Sequence, residues 1–162
     1  MHSIEEMGKE EEALFELMPE HGYIEERDSY LKERGLYDAW REIYRKYVKL
    51  AQDGDLEALK RALFYAWYQL SEPSWLTGIS QLPDSQTLII VSILEEKLKQ
   101  GLQDQELEYM LPYYMSVCSY YLERFYPLPN IERESNKNSD DARNQAGSSD
   151  WGNRGQMGKY WG

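Results

Sequence analysis

Two helical stripes of apolar residues, joined by the turn Asp53-Gly54-Asp55, constrain the fold of this chain more than any other feature. Both stripes follow the i, i+3, i+4, i+7 spacing of an amphipathic helix. Gly54 tolerates a positive φ, and Asp55 is a good capping residue for the second helix. Because the link is so short, the helices must lie side by side and antiparallel, so the sequence predicts an αα-hairpin. The stripes consist of Leu36, Tyr37, Trp40, Ile43, Tyr44, Tyr47, Val48 and Ala51, and of Leu56, Leu59, Ala62, Leu63, Ala66, Trp67 and Leu70.

Further helical segments flank this hairpin on both sides. The pattern predicts helices over residues 4–18, 24–34, 84–100 and 104–125, with the last kinked or split at Pro112. Glu11 interrupts the apolar stripe of the first segment, which is expected to dock by one narrow face. We therefore expect an all-α fold, either a compact antiparallel helical bundle or a short helix-hairpin stack of about five to six helices.

The composition changes at Asn130, after which Asn, Ser, Gly, Asp and Arg dominate. Such a segment buries too little apolar surface to offset the entropy of ordering it, so a flexible C-terminal tail is predicted. The sequence thus divides into an acidic N-terminal helical segment (1–34), a helical core (35–129) and a low-complexity tail (130–162).

Negative charge is concentrated at the start of the chain. The net charge is −11, and residues 1–34 carry eleven acidic residues against four basic ones. Such a surface repels phosphate backbones and attracts basic proteins, so a basic protein partner is expected and direct nucleic-acid binding is not. A solvated face that only aids solubility is the plainer alternative.

The residues that usually carry chemistry are sparse. His21 and Glu25 stand one helical turn apart, but two ligands do not make a metal site. Cys118 has no histidine near it in sequence and is expected to be a small buried residue. We therefore expect no catalytic residue, metal or cofactor, and an enzyme is disfavoured.

The setting of the chain is expected to be the cytoplasm. One cysteine excludes an internal disulfide framework, and no secretory signal is recognisable. No apolar run approaches the ~20 residues of a membrane span, so no membrane association is expected.

A surplus of aromatic residues suggests where a partner could bind. Tyrosine and tryptophan are enriched in interface hot spots, although tyrosines at helical spacing more often line a core. The candidate partner-binding residues are Trp75, Leu76, Tyr113, Tyr114, Tyr120 and Tyr121, together with the acids Glu10, Glu11 and Glu12.

These features favour a non-enzymatic acidic helical module that binds a basic protein. In composition the chain resembles small inhibitors and immunity-type proteins. Two alternatives stay open. One is an enzyme or small-ligand-binding domain that has no identifiable cofactor and whose pocket is lined by tyrosines and by Trp40, Trp67 and Trp75. The other is a homo-oligomeric structural protein.

Overall fold

The predicted hairpin lies at the centre of the fold. In the computed structural model, which describes residues 2–162, α3 spans Leu36–Gln52 and α4 spans Leu56–Ser71. Gly54 has a φ of 101°, and the Asp55 carboxylate accepts the Ala58 N–H at 2.8 Å. The turn therefore has the positive φ and the helix cap that its sequence predicts.

All regular structure in residues 2–162 is helical, which confirms the predicted class. Eleven helices lie in this range rather than five to six, because several short helices occupy segments expected to be connections or tail. The remaining helices are α1 (Ile4–Leu17), α2 (Ile24–Glu33), α5 (Ser74–Thr77), α6 (Asp84–Lys99), α7 (Gln105–Val117), α8 (Tyr120–Glu123), α9 (Pro129–Ser135), α10 (Ala142–Ala146) and α11 (Gly155–Trp161).

Helix α4 is surrounded by the other elements. Every residue from Ala58 to Trp67 is buried, and α3, α6, α7, α8 and α11 pack against this helix. Trp40 and Trp67 are both enclosed in the core. They fill the centre of the molecule instead of lining an open pocket.

The last predicted helix divides, but not at the proline. Helix α7 continues through Pro112, which is buried, and ends at Val117. The break comes at Cys118, whose backbone is not helical (φ −145°, ψ 89°), and α8 follows as a separate short helix.

The prediction of a flexible tail is wrong. Residues 130–162 contain most of α9, together with α10 and α11, and Met157 and Trp161 are buried in the main core. The polar composition of the segment gives no indication of the few apolar residues that bind it to the core. Helix α11 packs against α1 and α4, so the two ends of the chain meet.

Candidate protein-interaction surface

The structure separates the predicted partner-binding residues into buried and exposed groups. Glu11, Tyr114 and Tyr121 are completely buried, so they are not on a surface that a partner could reach. Glu10 pairs with Lys46 at 2.6 Å, whereas Glu12 is largely exposed. Trp75 and Tyr113 are half-buried, and Leu76 and Tyr120 are exposed. Trp75 and Leu76 are neighbours on α5, whereas Tyr113 lies on α7 and Tyr120 on α8.

Tyr114 and Tyr121, the two buried tyrosines of this set, have hydrogen-bond partners for their hydroxyl groups inside the core. Tyr121 donates to the Leu63 carbonyl at 2.6 Å. Tyr114 accepts the indole N–H of Trp161 at 3.3 Å, and its ring stacks on Trp67 at 4.6 Å between centroids. Paired in this way, a tyrosine can be buried without the cost of an unsatisfied hydroxyl.

Four exposed apolar residues lie at the end of α1, at the start of α2 and on α5, which packs against α2. Leu17, Tyr23, Ile24 and Leu76 are large apolar residues with substantial solvent exposure, and the exposed fraction of Tyr23 is 78%. Leu31 is the one fully buried residue of helix α2, and six of its ten residues, including Ile24 and Glu25, are exposed. We call this region the acidic corner: Glu16, Leu17, Glu20, Tyr23, Ile24, Glu25 and Leu76.

Packing beneath the acidic corner fixes its position on the core. The Arg27 side chain donates to the Trp75 carbonyl at 3.4 Å and lies 5.9 Å from the centre of the Trp75 indole, which joins α2 to α5. The Trp40 indole N–H contacts the Met18 sulfur at 3.5 Å. A side chain at Gly78 (φ 79°) would collide with Trp40, so α5 can lie close to the core only with glycine there.

The acids of this corner are not neutralised. Glu16, Glu20 and Glu25 are exposed and make no ion pair with any residue in 2–162. By contrast, Glu10 and Asp28 on the same two helices pair with lysines. The corner therefore combines exposed apolar side chains with uncompensated negative charge.

A second feature, a buried charge cluster, was missed in the sequence. It joins α1, α3, α4 and α7 to the C-terminal segment, and its members are Glu11, Tyr47, Glu57, Lys60, Arg61, Asp104, Glu106 and Arg154. The spacing of Glu57 to Lys60 and Arg61 on α4 was the one available signal, since these intervals place opposite charges side by side on a helix.

Arg154 is the residue through which the tail enters this cluster. Its guanidinium donates two hydrogen bonds to Glu57, at 2.7 and 2.8 Å, and two to Glu106, at 2.6 and 2.8 Å. Lys60 approaches Glu106 at 2.6 Å from the other side. Burial alone would raise the pKa of Glu106, but the hydrogen bonds and charges of Arg154 and Lys60 lower it to about 2.

Glu11 sits at the other end of the cluster. Its carboxylate accepts hydrogen bonds from the Tyr47 hydroxyl and, at 2.7 Å, from the backbone N–H of Gln156. Arg61 in turn donates to the Tyr47 hydroxyl at 3.1 Å. Burial raises the pKa of Glu11, and these hydrogen bonds and the Arg61 charge only partly offset the effect. The cluster is best explained as the anchor of the C-terminal segment.

The described residues show no metal site and no spanning helix. No group of three or more His, Cys, Asp or Glu side chains in residues 2–162 is arranged to hold a metal ion. None of the helices in that range has both the length and the apolar character needed to cross a bilayer.

Comparisons with protein families, with curated proteins and with solved structures find no match to this chain.

Proposed function

We propose that this chain is a non-enzymatic protein-binding module, of an inhibitor or immunity type, whose acidic corner binds a basic protein. The main support for the proposal is the pair Tyr23 and Ile24, which is exposed at the start of α2. Only one residue of that helix is fully buried, and the glutamates near the pair form no ion pairs within the described residues. Single exposed apolar residues need no explanation, but a group of them with unbalanced charge is typical of an interface.

The apolar residues of the corner supply the anchors that such an interface needs. A surface tyrosine that packs against a partner buries a large ring at little entropic cost, and its hydroxyl can form a hydrogen bond at the rim of the interface. Tyr23 is the most exposed of the large apolar residues, so it has the most area to lose on binding. Leu17, Ile24 and Leu76 are the other exposed large apolar residues of the acidic corner.

The glutamates of the corner supply charge complementarity. Unpaired surface charge steers an oppositely charged partner over a distance of about 8 Å at physiological salt. Because Glu16, Glu20 and Glu25 form no ion pair in residues 2–162, a partner's lysines and arginines do not have to displace existing ion pairs. Steering of this kind acts mainly on the association rate.

Affinity capture from a cell lysate tests the proposal when the exposed apolar residues of the acidic corner are replaced by alanine. The full chain is compared with a Tyr23→Ala, Ile24→Ala double variant and with Tyr120→Ala, whose side chain is 60% exposed on a different element. We expect a basic protein that is retained by the wild-type chain and by Tyr120→Ala, and is lost with the double variant. Retention by all three chains, or the absence of any basic protein, would contradict the proposal.

The charges are tested separately with the captured protein. Changing Glu16, Glu20 and Glu25 to lysine should slow association and leave dissociation nearly unchanged. The control changes three exposed acids elsewhere, Glu96, Glu108 and Glu123, and alters the net charge equally. If both triple variants slow association to the same degree, net charge and not the corner is responsible.

A further inference from the structure

Three aromatic rings near the C-terminus enclose a cation. Tyr113, Tyr160 and Trp161 lie with their ring centres 5.0 to 6.3 Å apart and their planes inclined by 53° to 82°. Rings at such angles form a concave corner instead of a stack. We call these three residues the aromatic cage.

Arg143 occupies the aromatic cage. Its guanidinium carbon lies 4.3 Å from the centre of Tyr160, 4.9 Å from Trp161 and 5.4 Å from Tyr113. It donates to the Tyr160 carbonyl at 2.8 Å and, more weakly, to the Tyr113 hydroxyl at 3.4 Å. Arg143 forms no ion pair with a carboxylate in residues 2–162, although the chain is strongly acidic. The cation is therefore held by ring faces and neutral oxygen atoms.

The walls of the cage also have contacts that do not involve Arg143. The hydroxyls of Tyr113 and Tyr160 are hydrogen bonded to each other at 2.6 Å, and the Trp161 indole bonds to Tyr114 behind it. Helix α10, which carries Arg143, is anchored by the buried Ala142 and Ala146. Removing the arginine side chain should therefore empty the cage without dismantling it.

We propose that the aromatic cage is a binding site for a guanidinium or methylated ammonium group, and that Arg143 is a resident that such a group displaces. Ring faces favour large, weakly hydrated cations, which lose less hydration than a lysine ammonium. Arg143 is exposed on the solvent side of the cage, so an incoming cation can reach it. That a basic protein supplies the cation rests on the proposed function, whereas binding by the cage itself does not.

Titration with methylguanidinium tests the site, followed by NMR at the indole N–H of Trp161. Potassium chloride at the same ionic strength is the salt control. Arg143→Ala should show a saturable shift and bind about tenfold more tightly than the wild-type chain, because the resident arginine keeps most of the wild-type cage filled. Arg124→Ala is the matched control, since Arg124 also lies over aromatic rings, at 4.6 Å from Phe125 and 5.7 Å from Tyr120.

A second variant keeps the test decisive if Arg143→Ala loosens α11. Arg143→Gln removes the cation but retains a donor for the Tyr160 carbonyl. If a variant with an ordered Trp161 signal shows no saturable shift beyond the salt control, the cage is only a structural contact. Equal affinity of the wild-type chain, Arg124→Ala and the Arg143 variants would also overturn the proposal. Either result leaves the acidic corner untouched, because that surface is tested by its own variants.

Discussion

Replacing Arg154 tests whether the buried charge cluster holds the C-terminal segment on the core. Arg154→Met keeps much of the side chain's bulk beside Trp151, over which the guanidinium lies at 4.3 Å, and removes its charge. Glu57 and Glu106 then each lose two hydrogen bonds from the same cation. Arg154→Lys is the matched control, because it keeps the charge without the paired geometry.

The expected loss follows from the charges that Arg154 compensates. Lowering the pKa of Glu106 from 4.5 to about 2 corresponds to about 3 kcal/mol, at about 1.4 kcal/mol per unit. Lys60 shares this stabilisation, so Arg154 accounts for about half. Its bonds to Glu57 add about 1–1.5 kcal/mol. We expect Arg154→Met to lower the free energy of unfolding by about 3 kcal/mol, near the lower end for breaking a buried ion pair.

Urea denaturation at pH 6 and pH 3 measures this loss and its origin. Because the folded-state pKa of Glu106 is lowered, its contribution is present above pH 4.5 and disappears as the pH falls towards 2. The difference between the wild-type chain and Arg154→Met should therefore shrink by about 0.5 kcal/mol at pH 3. Arg154→Lys should lie between the two chains at pH 6. A difference that is the same at both pH values, or a variant as stable as wild type, would refute this account of the cluster.

Three further predictions concern the core and the docked segment. Gly155→Ala should lower the melting temperature, because Gly155 has a φ of 58° and an added Cβ would collide with the Glu11 carboxylate. An unchanged melting curve would contradict this close contact. The stability of the wild-type chain should fall as the pH rises from 4.5 through the raised pKa of Glu11, and Glu11→Gln should abolish this fall. Chemical denaturation across this pH range measures the effect, and parallel pH profiles of the two chains would be the opposing result. Trp67→Ala should lower the free energy of unfolding by about 3–5 kcal/mol, because Trp67 is buried in the core. Trp75→Ala should lower it by less than about 1 kcal/mol, because Trp75 is half-buried and packs on Arg27. The reverse order in chemical denaturation would show that α5 supports the core.

The helical class and the central hairpin could be predicted because both depend on local periodicity. The stripes of α3 and α4 and the cap at Asp55 are encoded within about 35 residues of sequence. The docking of the tail could not be predicted in this way. It depends on Arg154 reaching Glu57, 97 residues earlier in the chain, and on Gln156 reaching Glu11, 145 residues earlier.

The candidate site could be predicted only in part from the sequence, because burial depends on contacts between residues that are distant in the chain. Acidity of the N-terminal segment is a sequence property, but its distribution between buried and exposed positions is not. Glu10, Glu11 and Glu12 are adjacent in sequence, yet one pairs with Lys46, one is buried, and one is largely exposed. Tyr23 and Ile24 gave no signal, because two adjacent apolar residues at the start of a short helix are more often part of a core.

Hydrogen exchange of the chain, alone and bound to the captured basic protein, tests the central claim most directly. It reports which backbone amides lose solvent access when the complex forms. Binding at the acidic corner predicts added protection in residues 16–27 and 74–77, with little change in α6 or α8. Protection confined to α6 or α8, with residues 16–27 exchanging as in the free chain, would contradict the assignment of the acidic corner as the binding surface.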